Sequence, residues 1–253
     1  MVTSLDDTPR PLGRKAYGSI PHLPGSRTGP ADKHLSLALA RICTERLRDE
    51  RDHLVVLEKL DGSCVAAARM GDDILALGRE GRLASHSPNE GRQLWSAWVD
   101  THAERFRAVL QSGEWLVGEW LALAHGTRYA LTHEPFVAFD LMHQGTRLPW
   151  ARLTARVHAG GFITPGVIHE GGALSIDAAM ALLPAGGFHH ALDPVEGAVW
   201  RLERQDGEGV RVELLTKYVR RDKVDGSLLP ENTGRPAIWN WRPSALPPKD
   251  VLP

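Results

Sequence analysis

The feature that most constrains this chain is a set of short apolar runs that carry, or end on, single charges. LVVLEK ends at Lys59, WLVGEWL holds Glu119, Glu196 opens EGAVWR, and LLTKYV holds Lys217. Runs of this length bounded by turn residues suit buried strands. A charge in such a strand is costly without a partner or a ligand. Further strands are predicted at SCVAAARM and DDILALG, joined at Gly71-Asp72, and at 135–142. EGAVWRLER and GVRVELLTKYV read as a hairpin across Gly207 to Gly209. Helical spacing is predicted from an Asp32 or Ser36 cap to about Arg51, over 89–110, over 150–158, and over 175–183 behind Ser175. The helices do not follow every strand, so a doubly wound sheet is not expected. The fold class is α+β with mainly antiparallel sheets flanked by helices.

Composition narrows this further. The 253 residues suffice for a core without a disulfide or metal staple. Gly 25 and Pro 17 imply many turns and argue against a helical bundle. No repeat or interdomain linker interrupts the chain. Residues 34–242 therefore read as one domain, 1–33 as an extended lead-in rich in Pro, Gly and Arg, and 243–253 as an irregular tail. Two cysteines cannot form a disulfide framework or a four-cysteine zinc site and suggest a reducing compartment. With no signal-peptide pattern and no run of about 18 apolar residues, a cytoplasmic location is expected. The net charge of −1 excludes binding of nucleic acid by overall basicity. That charge is uneven: residues 1–209 carry −4 and residues 210–253 carry +3, a local basic strip.

Lys59, in EKLDGS, is the leading candidate nucleophile. A lysine must be neutral to attack, and partial burial with neighbouring positive charge lowers its pKa. Asp61 and Gly62 suit a tight turn after it. The pattern recurs as KVDGS at 223–227, so it is not specific alone. Chain position separates the two: Glu119, Glu196 and Lys217 come after Lys59, and little chain comes after Lys223. Two carboxylates and two lysines in one cleft would suit a metal–nucleoside triphosphate.

In this order, EKLDGS, GREGRL, LVGEW, FVAFDL, EGAVWR and LLTKYVRRDK resemble the motifs of covalent nucleotidyltransferases. The nearest likeness is to ATP-dependent RNA ligases of the phage RNA-ligase-2 type and their bacterial relatives. The lead-in YGSIPHLPGSR and the block GEWLALAH resemble that group too, so the likeness spans about residues 15–242. The resemblance implies a nucleotidyltransferase (ATP-grasp-like adenylation) domain and a set of roles. Lys59 would attack the α-phosphate of ATP and become lysyl-AMP. Glu58 would belong to the nucleotide site, Arg79 would contact the ribose and the nucleic-acid end, and Glu119 would bind the ribose hydroxyls. Phe139 would stack on adenine, Glu196 would help hold Mg²⁺ or Mn²⁺, and Lys217 would contact the α-phosphate. The AMP would pass to a 5′-phosphate RNA end, which a 3′-hydroxyl then seals. A monomer is expected, with ends that a separate end-healing enzyme could supply.

The last motif departs from the family. Many relatives have lysine–any–lysine where this chain reads Lys217-Tyr218-Val219. Either Lys217 serves alone or Arg220, Arg221 or Lys223 covers the second role, and these three are also candidate RNA contacts. A DNA-nick ligase or a capping enzyme would share the chemistry, but an added OB-type domain is not expected here. A non-catalytic nucleotide- or RNA-binding relative is disfavoured by the retained Lys59, Glu119, Glu196 and Lys217. His189-His190 read as loop histidines, Cys64 as a small core residue, and the tryptophans from Trp95 to Trp200 as core. Trp239 and Trp241 read as packing of the tail. GREGRL fits neither the P-loop nor the dinucleotide pattern.

Overall fold

The computed structural model describes residues 10–243, so the ends of the expected lead-in and tail lie outside the described residues. Two antiparallel sheets form the body. The first contains β1 (Asp52–Lys59), β7 (Val167–Gly171), β8 (Gly197–Asp206) and β9 (Gly209–Val219) in the order β7-β1-β8-β9. The second contains β2 (Ser63–Met70), β3 (Asp73–Gly78), β4 (Glu114–Trp120), β5 (Phe136–His143) and β6 (Thr146–Arg147) in the order β3-β2-β4-β5-β6. β1 and β2 are consecutive in the chain but belong to different sheets. The chain crosses between sheets at residues 60–62, directly after Lys59.

Both strands at this crossing are buried on both faces, which is why LVVL and VAAA do not alternate. Val55 and Leu57 face the main core with Val65, Ala67, Trp95, Trp98, Phe106, Trp120 and Phe136. Leu54 and Val56 face the opposite way, onto Leu23, Cys43, Ala179 and Trp200. The outer face of the second sheet is covered by Ala16 and Tyr17, so the lead-in caps both sheets. The helices are α1 (Leu37–Thr44), α2 (Glu90–Thr101), α3 (Ala103–Val109), α4 (Trp150–Ala159), α5 (Ile176–Leu182) and the single turn α6 (Pro230–Thr233). No helix among the described residues is long and apolar enough to cross a membrane.

Several elements differ from the sequence reading, among them β6 and α6, which have no expected counterpart. The helix expected to reach Arg51 stops at Thr44, and Asp49 accepts from Arg51 N in a local turn. That turn lets Arg48 reach the buried carboxylate of Asp52, at 2.7 Å, which Arg204 also holds. The helix expected over 89–110 breaks at His102, whose Nδ1 lies 2.7 Å from the Trp98 carbonyl oxygen and whose ring stacks on Trp98 at 4.1 Å. The edge strand β7 has no expected counterpart, because its period is too short to read. The tail packs as expected: Trp239 and Trp241 lie on the main core, and the Arg242 guanidinium sits 4.2 Å over the Trp239 ring.

Candidate active site

A cleft of about 410 Å³ opens between the two sheets. Glu58, Lys59, Arg79, Glu119, Phe139, Glu196 and Lys217 all line it. Lys59 ends β1 and pairs across the sheet with Gly197, so Glu196 arrives beside it at the entry to β8. Lys59 Nζ donates to Glu196 Oε2 at 2.6 Å and to the Leu60 carbonyl at 3.3 Å. Glu119 projects from β4, opposite Cys64 of β2. Its Oε1 accepts from Gly62 N at 3.0 Å. A side chain at Gly62 would meet the Trp120 carbonyl oxygen at 2.5 Å, so glycine permits this crossing.

Lys217 stands on β9 opposite Val199. Its backbone is held from outside by the lead-in: Lys217 N donates to Pro21 O at 3.1 Å, and Leu23 N donates to Lys217 O at 2.8 Å. Arg79 follows β3 and its Nη2 reaches the lead-in at Ser19 Oγ, 3.0 Å away, and at Gly18 O. Phe139 lies edge-on to Tyr17 at 5.2 Å, and Tyr17 donates to Asp140 at 2.7 Å. Beneath them the buried Arg201 is neutralised by Asp140 and Glu203, each at 2.7 Å.

The electrostatics differ from the sequence reading at Lys59. Burial pushes the Lys59 pKa down, but Glu196 and Glu119 push it up by more, and the net shift is upward. Burial raises Glu119 to about 7, with Lys59 opposing and Glu196 adding to it. Glu196 is also raised, by burial first, against the pull of Lys59. Lys217 is lowered by burial and by the charge of Lys59. Glu58 is buried, accepts from Phe188 N at 2.9 Å, and is pushed up to about 7 by burial. His189 lies in a turn, as expected of a loop histidine, but it is not exposed. It is buried 3.9 Å from Glu58, with Nδ1 at 2.9 Å from His133 Nε2.

Arg220, Arg221 and Lys223 do not line the cleft. Arg220 pairs with Asp222 at 2.7 Å, and Arg221 Nε donates to Gly25 O. Lys223 corrects the expectation of a surface cation, since its side chain is 3% exposed. Its Nζ lies 2.5 Å from Asp61 Oδ2 and 2.6 Å from Thr127 Oγ1. The two lysine–any–Asp–Gly turns thus converge, and Asp225 and Gly226 of the second line the cleft. Val219, at the expected second lysine, is buried with its N–H on Ser26 Oγ. Sequence reasoning missed Tyr17, Arg92, His125 and Arg201 as lining residues, because none belongs to a recognisable local pattern.

Among the described residues no group of three or more His, Cys, Asp or Glu could hold a metal ion. Two carboxylates, the half-buried Glu119 and the buried Glu196, do share the cleft. That donor set fits a hydrated divalent ion held jointly with substrate phosphates rather than a protein-made cage.

The family model described as RNA ligase matches residues 52–219, from the start of β1 to the end of β9. The chain belongs to the RNA ligase family. No curated protein matches it. Among solved structures, the Naegleria gruberi RNA ligase with PPi is 17% identical, with a TM-score of 0.50 over 73% of this chain and 53% of that one. A mutant of that ligase with ATP and Mn is 16% identical, with a TM-score of 0.48 over 68% and 50%. An archaeal ATP-dependent RNA ligase is 20% identical, with a TM-score of 0.42 over 67% and 43%. The likeness with the TM-score of 0.50 shows the shared α+β fold. This chain spans about half the length of the solved ligases it matches.

Proposed function

We propose that this chain is an ATP-dependent RNA ligase that stores AMP on Lys59 and uses it to join a 5′-phosphate RNA end to a 3′-hydroxyl. The observation that carries the reading is the pairing of Lys59 Nζ with Glu196 Oε2 at 2.6 Å in an open cleft shared with Glu119 and Lys217. Family membership supports it. Attack requires Lys59 Nζ to lose a proton, and Glu196 Oε2, with its own pKa raised, stands where that proton can go. The Nζ–phosphorus bond forms as the bond from the α-phosphorus to the pyrophosphate oxygen breaks. Lys217, which makes no salt bridge among the described residues and lies in the fields of Lys59, Asp32 and Glu196, supplies positive charge to the α-phosphate. An oxygen of the RNA 5′-phosphate then takes AMP from Lys59, and the 3′-hydroxyl displaces AMP as the new phosphodiester forms. A divalent cation, when bound, neutralises charge on the triphosphate. Phe139 and Glu58 line the same cleft on its base-binding side, and Glu119 serves the ribose.

The test is labelled ATP with Mg²⁺, followed by a denaturing gel. Covalent label on the wild type, absent from Lys59→Ala, is the expected result. An unlabelled wild type would overturn the enzyme reading, and label persisting in Lys59→Ala would overturn the choice of nucleophile.

A further inference from the structure

Arg92 lines the cleft but belongs to none of the motifs. It is the third residue of α2, where its backbone N–H donates to the capping side chain of Asn89 at 3.2 Å. A cation in the first turn opposes the helix dipole, so its charge does not serve the helix. Its guanidinium makes no hydrogen bond or ion pair among the described residues. It lies across the backbone of Gly78, where a Cβ would meet Cζ and Nη1 at 3.7 Å and Nε at 3.8 Å. Gly78 immediately precedes Arg79, whose guanidinium reaches the lead-in at Ser19, and both arginines line the cleft.

Three of the acids in this region are already committed, while Glu231, which also acts on His125, makes no ion pair among the described residues. Glu90 pairs with Arg242 at 3.3 Å, Asp225 with Arg27 at 2.5 Å, and Asp61 with Lys223 at 2.5 Å. Arg92 therefore keeps its charge exposed at the rim, while Lys59 and Lys217 sit deeper. On the same side, Ser63 Oγ and His125 Nε2 lie 3.0 Å apart, and His125 is lowered by burial first, with Arg92 and Lys223 adding to it. An exposed cation at the mouth suits a long polyanion that passes over the cleft better than a nucleotide enclosed by it.

We propose that Arg92 is a second arginine of the RNA-binding mouth, lining the cleft with Arg79, and that it holds a backbone phosphate of the RNA strand. This rests on the RNA-sealing reading above. The contact acts after lysyl-AMP has formed, when the 5′-phosphate end enters.

The experiment compares wild type, Arg92→Gln and Arg92→Lys in three assays. These are lysyl-AMP formation from labelled ATP, sealing of a pre-adenylylated RNA across RNA concentrations, and RNA binding across salt concentrations. For Arg92→Gln, lysyl-AMP formation stays within about twofold while KM for RNA rises about tenfold. The slope of log affinity against log salt falls by about 1. Arg92→Lys restores most of the salt slope and part of the KM. Thermal melting of Arg92→Gln is unchanged or slightly raised, because a cation leaves the first helical turn. A fall in lysyl-AMP formation matching the fall in sealing would place Arg92 on ATP and overturn the proposal. Unchanged KM and salt slope would overturn it as well. If the wild type itself forms no lysyl-AMP, the sealing reading fails, and the salt dependence of RNA binding still decides the role of Arg92.

Discussion

At the scale of single residues, the site is governed by how burial and charge are balanced around each group. Burial at Lys59 is outweighed by Glu196 and Glu119, so its net shift is upward and its Nζ is held as an ammonium donating to Glu196. Glu58, one residue earlier on the same strand, faces a different environment. Its ordinary pKa is 4.5, and burial lifts it to about 7. Between those values the unfolded chain has released the proton while the folded chain still holds it. Stability associated with Glu58 is therefore fully present below about 4.5 and is lost as pH rises toward 7. Glu58→Gln removes this loss. Between pH 5 and 8 the wild type should lose about 1–3 kcal/mol more stability than Glu58→Gln. Denaturant unfolding of both proteins at the two pH values checks it, and the difference between them separates Glu58 from its neighbour His189. Identical pH dependence would show that Glu58 ionises freely when folded.

At the scale of elements, the site depends on three backbones meeting closely. β1 brings Lys59, β8 begins after Glu196, and β9 carries Lys217 while the lead-in bonds its outer edge. Gly197 lies between them, paired with Lys59 on one side and Val219 on the other. A Cβ at Gly197 would sit 1.9 Å from the Tyr218 carbonyl oxygen, a backbone atom that cannot rotate away. Gly197→Ala must push β9 outward next to Lys217. The expected cost is about 1–3 kcal/mol of stability, together with slower lysyl-AMP formation. Thermal melting and the labelled-ATP gel measure the two effects. A variant that keeps both would mean that β9 can shift at Tyr218 without moving Lys217.

At the scale of the whole molecule, four of the seven described basic residues of the strip 210–253 are neutralised within the fold, while Arg221 and Arg235 stay exposed without a carboxylate partner among the described residues. Arg211 pairs with Glu213 and Asp206, Arg220 with Asp222, Lys223 with Asp61, and Arg242 with Glu90. Lys249 lies outside the described residues. The cleft itself offers three cations with no carboxylate within ion-pair distance among the described residues: Arg79, Arg92 and Lys217. RNA binding should then depend only moderately on salt, with a slope of about −2 for a single strand. Fluorescence anisotropy with a labelled RNA across salt concentrations gives that slope. A value of about −5 or steeper would mean that cations outside the cleft, Arg221 and Arg235 first, also bind phosphates.

Most of the strands, the antiparallel class and four cleft residues, Lys59, Glu119, Glu196 and Lys217, were legible because each rests on local pattern: apolar runs of strand length, turn glycines and charge placement. Glu58, Arg79 and Phe139 came only with the resemblance to the nucleotidyltransferase motifs. The breaks at Thr44 and His102 were not, because a distant carboxylate and a nearby carbonyl outcompeted helical periodicity there. The net upward shift of Lys59 was hidden for a related reason, since its sign depends on which carboxylates stand within a few ångströms. The fate of Lys223 and the freedom of Arg92 depend on pairing across 162 residues in one case and on the absence of any partner among the described residues in the other. Sequence by itself therefore determined which chemical groups this protein owns and roughly which strands hold them. Only the tertiary structure decided which of those groups neutralise one another and which remain free for a ligand, because Coulomb energy and desolvation follow distance in space rather than position in the chain.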